Sequence, residues 1–258
     1  MDSYQVSSIL ESLFRWIHVV AGILWIGLLY FFNWVNSAFA PTMDGETKKK
    51  VVPELMPRTL YWFRWGAAWT WFSGVLLLML VFYHGKISLA DQVNGFTAGA
   101  WIMVAATFAG VFVYDLIMNT LGKSNIKAAV ILSFVLVVVM IFLYQYVGGF
   151  SYRGTTIHVG ALFGSCMAFN VWFRIWPAQK KVIPAIKNGE APDAAAAALA
   201  GLRSKHNTYM SVPLVWAMLN THSTWAASYN LYILPAFIAF GWWVTYKLYK
   251  RAAKVPGF

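Results

Sequence analysis

Apolar stretches of bilayer length recur along this chain, and little else in a sequence restricts the fold as strongly. Runs long enough to cross a hydrocarbon core as a helix, roughly 20 residues each, fall near Leu13–Val35, Leu60–Tyr83, Ala98–Met118, Ala128–Val147, Thr156–Trp176, Tyr209–Thr221 and Leu231–Tyr249. Within lipid each segment must satisfy its own backbone donors and acceptors, so such runs read as helices. The expected fold is all-α: a polytopic membrane helix bundle of seven transmembrane helices, with eight as the alternative count. It is read as one integral membrane domain over 1–258, with a short cytoplasmic loop at 177–205. Composition agrees, with 60% hydrophobic and 11% charged residues, where a soluble domain keeps about a quarter charged. The sixth run is the shortest and holds Pro213, so its ends are the least defined.

Basic residues orient the bundle. Lys48, Lys49, Lys50 and Arg58 lie between the first two runs, and Lys123 and Lys127 between the third and fourth. Arg174, Lys180, Lys181, Lys187, Arg203 and Lys205 bracket the fifth connection, and Lys247, Lys250, Arg251 and Lys254 close the chain. The alternate connections carry only Lys86 and Arg153. By the positive-inside rule the N-terminus is outside and the C-terminus cytoplasmic. The net charge of +11 thus reflects topology and not a phosphate-binding surface, so no nucleic-acid partner is expected. The opening "MDSYQVSSILE" lacks the basic start and cleavage site of a signal peptide, so the first helix is expected to stay. In the fifth connection, Asp193 can cap a short Ala-rich helix that Gly201 interrupts or ends.

Histidine placement narrows the chemistry. An ionisable group inside the membrane is a functional-site candidate by default. His18, in "RWIHVVAGILWIG", and His158, in "SYRGTTIHVGALFG", fall at matching depth near the outer surface on different helices. Two such imidazoles are the usual protein contribution to a b-type haem. Gly22 lies one turn from His18 and Gly154 one turn from His158, where a missing side chain lets a porphyrin approach. Arg15 and Arg153 lie toward the outer surface, placed to pair with propionates. His84 and His222 end their helices on the same side and stand as replacement ligands or as ligands of a second haem. The plainer readings stay open: an intramembrane histidine also hydrogen-bonds across helices, and glycines at this spacing also mark helix packing. His206 reads as a solvated cap residue beside Arg203 and Lys205. Asp115 reads as a proton-path residue or as a partner of Arg203, Lys205 or a nearby loop.

Other chemistries find no support. The single cysteine, Cys166, excludes an intrachain disulfide and a C-x-x-C-H haem attachment. No G-x-S-x-G, P-loop, dinucleotide-binding glycine pattern or zinc-like spacing is present.

Three long strings carry a family resemblance: "VVPELMPRTLYWFRWGAAWTWFSGVLLL", "FNVWFRIWPAQKKVI" and "GEAPDAAAAALAGLRSKHNTYMSVPLVWAMLNTH". The chain resembles, over nearly its whole length, the membrane domain of the bacterial membrane-bound urate hydroxylases, the urate oxidase N-terminal domain. The matching motif residues include Arg64, Asp115, Arg174, Arg203, His206, Asn207 and His222, for which the resemblance carries no catalytic assignment. It implies a multi-pass protein of the bacterial inner membrane that oxidises urate to 5-hydroxyisourate and passes electrons to a cytochrome. In that family a c-type cytochrome domain typically follows, whereas this sequence stops at "YKRAAKVPGF" without a C-x-x-C-H. The expected partner is a separate c-type cytochrome or oxidase subunit, with urate or quinol as donor. A cofactor-free structural subunit of a respiratory membrane complex is the alternative.

Overall fold

The computed structural model describes residues 3–256. The principal helices are α1 (Ser3–Tyr30), α2 (Gly45–Leu77), α3 (Ala98–Asn119), α4 (Ile126–Tyr146), α5 (Tyr152–Asn170), α6 (Trp176–Asn188), α7 (Ala194–Leu219) and α8 (Asn230–Ala252). Among the described residues there is no strand, only an isolated bridge between Leu89 and Phe150. Three helices run on through π-helical segments: α1 through Phe31–Asn36, α2 through Leu78–His84 and α5 through Val171–Ile175.

Local chemistry explains the helix ends. The Thr97 hydroxyl takes the Ala100 amide at 3.2 Å to start α3, and the Asn125 side chain takes the Ala128 amide at 3.0 Å to start α4. Asp44 opens α2 by taking the Thr47 amide at 2.8 Å, and the Thr47 amide and hydroxyl hold its carboxyl below the ordinary range. Gly189, at φ 75°, ends α6 in the left-handed conformation that glycine adopts without strain. Asp193 caps α7 as expected, accepting from Ala195 and Ala196 at 2.9 and 3.1 Å.

One expectation needs correction here. The Ala-rich segment is not a short helix ended at Gly201; it is the first part of α7, which continues to Leu219. By length and hydropathy, six described helices qualify as spans: Gln5–Thr42, Gly45–His84, Ala98–Ser124, Ile126–Tyr146, Tyr152–Asn188 and Leu231–Ala252. The expected run Tyr209–Thr221 covers the second half of α7 and runs two residues past its end at Leu219. That helix is long enough at 26 residues but not apolar enough, because its buried face carries Arg203, Asn207, Thr208 and Ser211.

The chain divides into two compact units whose boundaries fall inside helices. One takes the start of α1 as far as Phe14, Gly74–Cys166 and Pro213–Gly241; the other takes Arg15–Ser73, Met167–Val212 and the chain from Trp242 onward. In the first, Ala100, Ile141, Tyr144 and Leu234 are buried, and α5 runs through the interior with Thr155 and His158 wholly enclosed. Gly241 of α8 lies against Pro213 of α7, where a Cβ would meet the proline ring at 3.0 Å. In the second, Trp25, Leu29, Phe63 and Ala67 are buried, and a Cβ on Gly66 would stand 3.2 Å from the Trp25 amide. Glycine there lets α1 and α2 approach backbone to backbone. Large apolar side chains point outward in both units, among them Ile23, Phe112, Ile131 and Phe240. This exterior suits hydrocarbon rather than water.

Candidate functional site

His158, an ionisable side chain of the first unit, is 0% exposed. A tight corner sets its position. The Ser88 carbonyl accepts from the Ser151 amide at 2.8 Å, and the Gly149 carbonyl accepts from the Ala90 amide at 3.0 Å. The Ser151 hydroxyl accepts from the Gly154 amide at 3.1 Å. Gly154 has no side chain because the Ser88 carbonyl oxygen occupies that space; a Cβ would also stand 2.8 Å from the Ser88 carbonyl carbon. The first turn of α5 is thereby held against the segment that follows α2.

That contact brings Tyr83 to His158. The His158 Nδ1–H donates to the Gly154 carbonyl at 2.7 Å, which leaves Nε2 as the acceptor, and Nε2 takes the Tyr83 hydroxyl at 3.0 Å. Phe150 stacks on the imidazole at 4.3 Å, while Tyr83 and Tyr144 lie 5.7 and 5.6 Å away. The Tyr144 hydroxyl reaches Thr107 Oγ1 at 2.8 Å. Thr107 spends its own proton on the Met103 carbonyl at 2.8 Å, so Tyr144 is the donor of that pair. Tyr83, unlike His158, is only half-buried.

The second unit contains several polar contacts of its own. The Ser73 hydroxyl donates to the Trp69 carbonyl at 2.6 Å and accepts from His18 Nδ1 at 3.2 Å. Asn33 donates to Ser204 at 2.8 Å and accepts from the Tyr249 hydroxyl at 2.8 Å. Asn207, 0% exposed, accepts from Asn170 at 2.8 Å and donates to the Met167 carbonyl at 3.0 Å. The Arg64 guanidinium lies 3.8 Å over the Trp176 ring, with its Nε and Nη1 buried and without hydrogen-bond partners. A groove of about 490 Å³ runs between α1 and α2, walled by Trp16, Val20, Leu24, Trp62, Trp65 and Trp69.

The expected site residues are distributed as follows. His18 is half-buried in the second unit and His158 sealed in the first. His84, His222, Arg15 and Arg153 are exposed. His206 is half-buried rather than a fully solvated cap residue. Gly22 faces Thr70, with 3.7 Å between a Cβ and the threonine methyl, and Gly154 faces Ser88. The Ser88 backbone therefore accounts for Gly154, whereas at Gly22 a Cβ would make only ordinary contact. Asp115 is buried and accepts from the Asn119 amide at 2.9 Å. Tyr83, Tyr144, Thr107 and Phe150 were not singled out by the sequence; the one available signal for Tyr83 was its place beside His84 in "FYHG".

A haem can be tested against this donor set. His158 would have to offer iron its Nε2, the nitrogen that holds the Tyr83 hydroxyl, and three aromatic rings fill the space a porphyrin face needs. The surroundings of His158 do not fit a haem ligand.

An all-α chain with six bilayer-length apolar helices and an apolar exterior is a multi-pass membrane protein. It belongs to the urate oxidase N-terminal family, whose pattern matches residues 45–256. No curated protein matches the chain. No solved structure matches it either.

Proposed function

We propose that this chain oxidises urate in the bacterial inner membrane and delivers electrons to a c-type cytochrome. Membership of the urate oxidase N-terminal family over 45–256 carries the reading. Its physical support is the polar equipment of the interior: His158, Thr107, Arg203 and Asn207 are buried within helices of a membrane protein, where such groups are expensive and mark function. The lysine and arginine bias supports an external N-terminus and a cytoplasmic C-terminus.

The reaction balances without a further reagent. Urate and water give 5-hydroxyisourate, two protons and two electrons, and the electrons reduce two ferric cytochromes in succession. The bundle's part is to hold a flat anionic heterocycle, limit water and move the protons. The test is direct: purified protein in mild detergent receives urate and a ferric c-type cytochrome. The expected result is loss of urate absorbance with two cytochromes reduced per urate. If neither that cytochrome nor an artificial one-electron acceptor supports urate loss, the reading is wrong and a structural subunit replaces it.

A further inference from the structure

We propose that Tyr83 and His158 form a two-residue proton relay for the substrate, an inference that rests on the oxidation proposed above. Oxidising an N–H heterocycle with one-electron acceptors releases protons, and within an apolar bundle a positioned base must take them. His158 is such a base. Its Nδ1–H is committed to the Gly154 carbonyl at 2.7 Å, so Nε2 carries the lone pair. Yet the ring is 0% exposed, so substrate cannot touch it. The group on Nε2 is the Tyr83 hydroxyl, 3.0 Å away, on a residue that is half-buried where His158 is sealed.

The step moves protons only. The substrate's X–H bond breaks as an O–H bond forms on Tyr83; Tyr83's original O–H bond breaks as an N–H bond forms on His158 Nε2. Tyrosine ends neutral and histidine ends as imidazolium, with both N–H groups donated, one to the Gly154 carbonyl and one to the Tyr83 oxygen. Phe150 stacks on the imidazole at 4.3 Å, with its ring face against that cation. Once product has left, the proton passes back through Tyr83 to water.

Tyr144 cannot substitute for Tyr83. Its hydroxyl ends on Thr107, whose own proton is held by the Met103 carbonyl, so that chain contains no base. Among the described residues, the titratable side chains with rings against His158 are Tyr83 from the extension of α2 and Tyr144 from α4.

The experiment uses the full chain with urate and its cytochrome acceptor. In wild-type protein, kcat measured across H₂O/D₂O mixtures should curve as expected for two protons in flight. Tyr83→Phe, which keeps the ring, should lower kcat about a hundredfold or more with little change in KM and make the remaining isotope dependence linear. His158→Gln should lower kcat similarly and remove the acid limb of its pH profile. Wild-type turnover with a linear isotope dependence, or variants that retain kcat and the acid limb, would overturn the relay and leave urate oxidation standing. A wild-type protein inactive toward urate with every acceptor would remove the oxidation itself, and the relay with it.

Discussion

Replacing Gly154 with alanine separates two accounts of the small residues near the histidines. A Cβ there would collide with the Ser88 carbonyl oxygen and stand 2.8 and 2.9 Å from its carbonyl carbon and Cα, all of them backbone atoms that cannot rotate away. Overpacking of this kind costs about 1–3 kcal/mol. The displaced carbonyl also holds the Ser151 amide at 2.8 Å and the Ser151 hydroxyl at 3.2 Å. Losing both adds about 2 kcal/mol at a typical net value per bond, and the helical gain of alanine over glycine returns about 1 kcal/mol. The net expectation is a loss of about 2–4 kcal/mol. At roughly 2–4 °C per kcal/mol for a chain of this size, the melting temperature should fall on the order of 10 °C. Gly22→Ala is the matched comparison: its Cβ would meet the Thr70 methyl at an ordinary 3.7 Å, so stability should hold or rise slightly. Thermal unfolding in detergent, followed by tryptophan fluorescence with size exclusion as a check on dispersity, reads both. Equal and small effects at the two positions would refute the Ser88 contact, and with it the account of how Tyr83 reaches His158.

Two further outcomes are expected. The haem content of purified protein, measured as pyridine haemochrome, should not depend on His158; a low-spin b-type spectrum that His158→Gln abolishes would show that the Tyr83 hydroxyl gives up Nε2 to iron. Reporter fusions after Lys50 and after Lys187 should both report cytoplasm, and a periplasmic signal from either would overturn the orientation read from the basic residues.

The spans were legible because hydrocarbon imposes one rule on every segment, and α1 to α5 and α8 obey it. The rule misjudges α7, whose Arg203, Asn207, Thr208 and Ser211 face inward and lower its hydropathy although the helix is continuous. Gly201 misled for a related reason: glycine weakens an isolated helix by about 1 kcal/mol, which tertiary packing readily offsets. The sequence assigns His18 and His158 a matching depth. Depth gives no direction around the helix axis. It cannot say that His18 turns to Ser73 or that His158 turns to Tyr83. Nor can it say which neighbour a glycine admits: Ser88 for Gly154, Thr70 for Gly22.

The choice between Tyr83 and His84 illustrates the physics that periodicity omits. Both residues end the second apolar run, and the sequence favours the histidine as the chemically richer side chain. The structure turns His84 outward, exposed, and gives Tyr83 to the site. Leu78–His84 is π-helical, with hydrogen bonds closing one residue later than in an α-helix. More residues then share each turn, so every side chain beyond Leu77 is rotated away from the face that an α-helical pattern assigns to it. The same device recurs at Phe31–Asn36, where Asn33 turns inward to Ser204 and Tyr249. A hydropathy window counts these residues correctly and still aims them wrongly. π-Helical turns gather at functional sites for this reason: they redirect one polar side chain into the interior without breaking the span. Tyr83 at the base of the relay is such a side chain.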